Sequence, residues 1–333
     1  MPKVLFGVRL PNSGPLANEK NIVDTAKKAE ELGFHSVWVH DHILWSVKEH
    51  QTHLSAGAVD ALKHTQEPNF FESITTLTYI AGRFQRINLG IAVIVLPLRN
   101  PIVLAKQLAN LDVLSHGRIS VGVAPGAPNI TIPEFEAVGV SYHERGKITD
   151  EYILAMKSIW RQRNASFSGR YVNFSNIQMF PKPSDNLKIL IGGGERGISE
   201  RALRRVIECG DGWIPAYLTP EEIAEGIFRI KDGLSKSGRN SNTVMVVHEM
   251  FTALAQESNE LGWVGPTLNR NFGNIQEAQR RSLVGSPTEI IKKLEAYEGA
   301  GVNITELKFM YPDMDSFFRM LELFSKQVMS CFS

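Results

Sequence analysis

Short β-branched runs alternate with amphipathic segments along the whole chain, the pattern of repeated βα units around a parallel sheet. Runs at 3–10 (KVLFGVRL), 36–40 (SVWVH), 87–96 (INLGIAVIVL), 118–124 (RISVGVA), 187–191 (LKILI), 211–215 (DGWIP), 243–254 (TVMVVHEMFTAL) and 303–310 (NITELKFM) predict eight strands. The spacing between them predicts helices over 19–33, 70–83, 100–114, 144–163, 197–209, 219–237, 286–299 and 314–330. Thr219 and Ser286 each stand before a proline, as helix-capping residues often do, and Gly33 and Gly299 are placed to close their helices.

Eight such units without a Pro/Gly/Ser-rich linker predict one α/β domain over residues 1–333: a (β/α)8 TIM barrel with insertions in the loops after strands 2, 4 and 7. The rival is a doubly wound sheet. It requires a GxGxxG turn after the first strand, where this chain has Leu10-Pro11-Asn12-Ser13-Gly14. The insertions are a polar, histidine-bearing loop at 46–69, a stretch at 164–186 (SFSGRYVNFSNIQMFPKP) that reads as a small hairpin, and a long segment at 255–285. All three are expected at the C-terminal rim, where barrel active sites are built.

At 43% hydrophobic and 21% charged residues, the chain can fill a large core. Lys plus Arg (36) balances Asp plus Glu (35) with no long run of one sign, so no footprint for nucleic acid or an acidic membrane is visible and a small-molecule partner is expected. Two cysteines, Cys209 and Cys331, exclude a disulfide framework and a cysteine-rich metal site. The first apolar run breaks at Pro11-Asn12, and no stretch approaches the roughly 20 apolar residues of a membrane span, which makes the cytoplasm the expected location.

Three stretches carry candidate chemistry. In FHSVWVHDHILW (34–45), His40, Asp41 and His42 fall where a buried strand stops, with His40 and His42 on one side and Asp41 on the other. Such a cluster serves as a solvated corner, as an HxH metal pair, or as a His/Asp pair set against an organic ligand. The metal reading needs further ligands at other strand ends, and the remaining histidines are poorly placed for it. In ILIGGGERGISERALRR (189–205), three glycines join a strand to a helix, which lets backbone and helix N-terminus approach a phosphate. VGVAPGAPN (121–129) repeats the idea after strand 4, and the long third strand INLGIAVIVLPLRNP invites a bulge in the barrel wall.

Taken together, AEELGFHSVWVHDHI, RINLGIAVIVLPLRNPIVLAKQLANLDVLSHGRISVGVAPG, EFEAVGVSYHERGKITDEYILAMKSIW, FSGRYVNFSNIQMFPKP, ILIGGG with RALRRVIECGDGWIP, and VGSPTEIIKKLEAYEGAGV resemble the luciferase-like flavin and deazaflavin oxidoreductases. The resemblance runs in order to about residue 310 and is greatest to the subgroup described as probable coenzyme F420-dependent enzymes. It implies a tricyclic ring held against a strand 3 bulge at Ala92-Val93, and a cofactor phosphate at Gly192, Gly193 and Gly194 with Gly126 and Asn129 beside it. It places Asp41 and His42 beside the ring and Trp45 in the substrate pocket. Two positions depart from the pattern. Ala127 stands where deazaflavin sugar-phosphate dehydrogenases carry a catalytic glutamate, and Pro125 where bacterial luciferases carry an arginine.

The resulting expectation is hydride transfer between coenzyme F420 and a small organic substrate, with His42 exchanging a proton at the reacting centre and a nearby carboxylate such as Asp41 supporting it. An FMN-dependent luciferase-like monooxygenase is the alternative, since a deazaflavin does not readily react with oxygen as a flavin does. A non-catalytic flavin-binding barrel and a metal-dependent hydrolase stand behind these. Trp45, Phe70, Phe71 and Trp263 suggest a substrate with apolar surface, and the resemblance implies a homodimer.

Overall fold

The computed structural model describes residues 3–44, 69–127, 131–194 and 196–332. Eight parallel strands form the barrel: β1 Leu5–Arg9, β2 Ser36–Val39, β3 Asn88–Val95, β4 Ile119–Ala124, β5 Lys188–Gly192, β6 Gly212–Ile214, β7 Met245–Leu254 and β8 Ile304–Phe309. Neighbours in sequence pair throughout, β8 pairs with β1, and β6 pairs with β7 through Gly212 and Met245, so the sheet closes. Outside it pack α1 Glu19–Glu31, α2 Ser73–Arg83, α3 Pro101–Leu114, α4 Arg145–Arg161, α5 Glu200–Cys209, α6 Pro220–Lys236, α7 Pro287–Ala300 and α8 Met314–Gln327. The (β/α)8 expectation holds.

The end signals are mostly those predicted. Thr219 and Ser286 form capping boxes with Glu222 and Glu289, each satisfying orphan N–H groups at its helix start. Gly299 does not close α7. It lies inside the helix, and Gly301, at φ +100°, takes the left-handed cap position that a glycine occupies without strain.

The insertion at 164–186 requires a correction. Its strands Ala165–Ser168 and Asn173–Ile177 do pair as a hairpin, but they follow α4 and precede β5, so the hairpin is rooted at the end of the barrel opposite the rim. It then runs back along α4, and its tip donates backbone N–H groups from Arg170, Tyr171 and Val172 to Glu151. What β4 contributes to the rim is the stretch from Pro125 onward, with a short helix at Ile132–Ala137. The long segment after β7 is not a bare loop. It folds into helices Gly265–Phe272 and Ile275–Arg280 and a short strand, Leu283–Gly285, that pairs with the end of β7.

The third strand carries the expected bulge. Its register against β4 shifts between Ile91 and Ile94, and the Ala92–Val93 peptide is cis. Gly122 of β4 leaves the space, because a Cβ there would lie 2.6 Å from the Ile91 oxygen and 2.7 Å from Val93 Cγ1.

Inside the barrel the two-residue alternation of strands builds layers. The lowest is apolar: Trp38, Leu190, Val247 and Ile304, with Ala92 and Ile214. The Trp38 ring takes the room that β1 and β3 leave at Gly7 and Gly90, where a Cβ would fall 2.3 and 2.2 Å from it, and its Nε1–H donates to Ser36 Oγ at 2.8 Å. Two residues further along β7 and β8 stand Glu249 and Glu306, paired in register. Two further still come Phe251 and Lys308, paired with each other, and Arg9 follows directly on the Val8–Leu307 pair of β1 and β8.

One buried histidine is a pH sensor of the fold. His248 is fully buried, its Nε2 accepts the Leu218 N–H at 3.0 Å, and its Nδ1 has no hydrogen-bond partner among the described residues. Burial lowers its pKa from 6.5 to about 3. Below pH 6.5 the unfolded chain takes up a proton that the folded chain refuses, so this residue removes stability as pH falls, about 2 kcal/mol by pH 5. In His248→Gln, which keeps an acceptor for Leu218, chemical denaturation at pH 7.5 and 5 is expected to show that much less acid destabilisation than the parent.

Candidate active site

A cavity of about 810 Å³ opens at the C-terminal mouth, and most of the positions singled out in the sequence meet there. Ala92 and Val93 of the bulge form one wall; Gly126, Gly192, Gly193 and Gly194 form the other end. Trp45 and Asn129 lie outside the described residues.

The glycine end is shaped for an anion. Gly193 and Gly194 have φ of +134° and +114°, and a Cβ on Gly194 would fall 2.2 Å from the Gly197 oxygen, so the turn excludes a side chain there. The turn leads into α5, whose Ser199 cap accepts from the Ala202 N–H at 3.3 Å. Arg145, Lys147 and Arg201 line this end, and none forms an ion pair among the described residues. Arg204 and Arg205 are instead tied to Asp150. Positive charge and the N-terminal end of α5 thus converge on one spot.

At the end of β2 the expected His42–Asp41 partnership is not formed. The buried Asp41 carboxylate accepts from Ser73 Oγ at 2.8 Å, from the Val95 N–H at 3.4 Å and from Arg99, and thereby ties β2 to the end of the bulged β3. Burial pushes its pKa up against the pull of Arg99. The carboxylate that reaches His42 is Glu134, from the short helix after β4: Nδ1 to Oε2 is 2.8 Å. Glu134 is itself buried and also accepts the N–H groups of Ile43 at 2.7 Å and Leu44 at 3.3 Å. A carboxylate only accepts here, so His42 donates from Nδ1. The imidazole edge meets Phe70 at 5.6 Å, which places that predicted substrate residue against both histidines.

His40 has a different part. Arg9 donates to its Nδ1 at 2.9 Å, so the ring is neutral with its proton on Nε2, donating to Ser13 Oγ. Arg9 also grips Glu306 through Nε at 2.6 Å and Nη2 at 2.9 Å, and reaches Glu249 at 2.8 Å. Glu249, which lines the cavity, accepts from Tyr217 and faces Lys308 at 3.5 Å, and its pKa falls to about 2 because Arg9 and Lys308 outweigh its burial. Sequence reading missed this floor and Glu134. The available signal was single charges at inward positions of apolar strands: Arg9 in LFGVR, Glu249 in MVVHEMF, Glu306 and Lys308 in ITELKF.

The sequence model for luciferase-like monooxygenases matches residues 5–262. The chain belongs to that family. Among luciferase-like relatives, it is 27% identical to the F420-dependent glucose-6-phosphate dehydrogenase of Kineococcus radiotolerans, over 92% of this chain and 91% of that protein. It is 24% identical to the FMNH(2)-dependent dimethylsulfone monooxygenase of Pseudomonas fluorescens, over 63% of this chain and 65% of that protein. The fold superposes on an F420-dependent secondary alcohol dehydrogenase in complex with an F420-acetone adduct with a TM-score of 0.78 at 17% identity, covering 98% of this chain and 99% of that one. Luciferase-like proteins are oxidoreductases and monooxygenases that use a flavin-type cofactor, either F420 or FMN, and the residues here fit such a group: an apolar wall at Ala92 and Val93 for a flat ring, and a cationic glycine turn for its phosphate. Among the described residues, no group of three or more His, Cys, Asp or Glu is arranged to hold a metal ion, and no helix is long and apolar enough to cross a membrane.

Proposed function

We propose that this luciferase-like protein transfers a hydride between coenzyme F420 and a small organic substrate, with the ring across the barrel mouth and the tail at the glycine turn. The observation that carries the choice of cofactor is the surplus of Arg145, Lys147 and Arg201 around that turn, more cation than a single phosphate needs. A deazaflavin tail bears carboxylates besides its phosphate and suits it; the nearly full-length match to an F420-dependent dehydrogenase supports the same choice. When bound, the coenzyme supplies the two-electron chemistry. The protein supplies the rest: Ala92 and Val93 set the ring's height, Asp41 fixes the strand that carries them, and His42, oriented by Glu134, exchanges a proton from Nε2 beside the reacting centre. Phe70, Trp45 and Asn129 complete the reading as substrate wall and tail contact. Ala127 in the cavity removes the glutamate of the sugar-phosphate enzymes, which turns the reading away from that substrate class. The family resemblance extends it to a homodimer, and the cytoplasm stays the location we propose for it.

An FMN-dependent monooxygenase is the second reading, favoured by the match to the dimethylsulfone enzyme. Equilibrium dialysis against each cofactor separates them: F420 is expected to bind at least tenfold more tightly than FMN, and the reverse order would sink the proposal. The glycine turn gives a companion test. Gly193→Val meets only the Ala202 Cβ, at 3.4 Å, but forces a branched side chain into φ +134°. We expect about 1–3 kcal/mol lost from the fold and at least a tenfold loss of cofactor affinity, with unchanged affinity counting against the turn as the phosphate site.

A further inference from the structure

We propose that Glu249 receives a neutral hydrogen-bond donor of the substrate, a hydroxyl or N–H group, on the wall of the mouth that faces the bulge. The assignment rests on the cofactor ring lying against Ala92 and Val93, the reading given for the function, and it adds the chemical class of the substrate.

Strand order places the carboxylate. Around the closed barrel β7 stands four strands from β3 in either direction, so Glu249 and the bulge line opposite walls of one cavity. A ring held against the bulge leaves the space before Glu249 to the substrate. Of the charged floor residues Arg9, Glu249, Glu306 and Lys308, Glu249 is the one that lines this cavity among the described residues. Its neighbours on the wall, Ile214 and Ala216, are apolar, and Ala216 is paired with it in register. This stretch of wall therefore suits a molecule with an apolar body and one polar group.

The carboxylate is fixed in place and not fully used. The Glu249 N–H donates to the Pro215 oxygen and its own oxygen accepts the Tyr217 N–H, both at 3.0 Å, which locks β7 to the end of β6. In the side chain, Oε2 accepts from Arg9 at 2.8 Å, while Oε1 accepts from Tyr217 Oη and faces Lys308 Nζ at 3.5 Å. A carboxylate oxygen accepts two hydrogen bonds, so Oε2 keeps one position open among the described residues, and the side chain is 14% exposed. Against the pull of burial, Arg9 and Lys308 keep the group ionised. It can accept from a hydroxyl or N–H and has no proton to offer a carbonyl or an anion. The same two cations make a neutral donor the fitting one: they match the two carboxylates, so the floor carries no net negative charge to draw an ammonium out of water.

Ligand-observed NMR titration of the purified protein, alone and with F420 added, tests this without turnover. The probes are benzyl alcohol, its methyl ether, benzylamine and benzoate. Benzyl alcohol is expected to bind at least about tenfold more tightly than the ether, because a buried acceptor left unpaired penalises the analogue that lacks the donor, and more tightly than the amine or the acid. Glu249→Leu should abolish the preference for alcohol over ether, and Glu249→Gln, whose amide oxygen still accepts, should keep part of it. Ether binding as well as alcohol in the parent, amine or acid binding more tightly than alcohol, or Glu249→Leu retaining the preference overturns the proposal. Should Glu249→Leu fail to fold, the parent comparison and Glu249→Gln decide, and an undiminished preference in the latter overturns it. F420 affinity of each folded variant is measured in parallel and should not change; its loss in Glu249→Leu would give the carboxylate to the cofactor and overturn the proposal. Failure of the parent to bind F420 would defeat the proposed function, while the probe comparison on the protein alone still judges Glu249.

Discussion

Arg9→Met will unfold at a much lower urea concentration than the parent, with a loss of about 3–5 kcal/mol. The substitution keeps the length of the side chain and its packing, so the effect isolates charge. What it leaves behind is a fully buried Glu306 without its guanidinium fork and a Glu249 that retains, among the described residues, Lys308 and Tyr217. Removing one partner of a buried pair is far more damaging than never having built the pair, because the remaining carboxylates must either stay ionised in a poor solvent or take up protons. Arg9→Lys should fall between the two, since one ammonium cannot reproduce the Nε and Nη2 contacts to Glu306 together with the Nη1 contact to His40. The contrast is Lys20→Met, which removes an exposed pair with Asp24 and should leave the transition where it is. A midpoint for Arg9→Met within error of the parent would show that the floor is not held by charge.

Glu134→Gln will lower turnover by about two to four orders of magnitude, the usual range for losing a positioned proton-transfer group, while leaving cofactor affinity intact. An amide oxygen can still accept from Ile43 and Leu44, so the rim should persist. Its NH₂ then faces His42 Nδ1, which must accept, and the imidazole proton moves to Nε2. The role of Nδ1 would then be the reverse of the parent's. Nitrogen-resolved NMR of His42 reads the tautomer directly and needs no substrate; a parent-like tautomer together with parent-like turnover would remove Glu134 from the mechanism.

The fold was legible because its signals are local. The β-branched runs, the caps at Thr219 and Ser286, the glycine turn at 192–194 and the over-long third strand are each readable within a dozen residues, and each was found where expected. The site was legible only in part. His42 stands out in sequence, yet its carboxylate lies 92 positions away in a short helix after β4, and Asp41, next to it in sequence, points to the other side of the strand as alternation requires. The ionic floor escaped for a similar reason: one charge in an apolar strand looks like an interruption until closure of the barrel brings four together. The hairpin was recognised as a hairpin but assigned to the wrong end. Its position after a helix rather than after a strand was the clue, and its contact with Glu151 shows how a segment rooted below returns toward the top.

The tryptophan beneath the mouth has an optical consequence. Trp38 is sealed from water, with its indole hydrogen given to Ser36 and its ring lodged against the backbones of β1 and β3. Such a ring emits at short wavelength and is out of reach of dissolved quenchers. A yellow chromophore laid across the opening above it would accept that emission by energy transfer, so occupancy of the chamber can be followed as dimming of the protein's own light, without a label and in either redox state that absorbs near the visible edge.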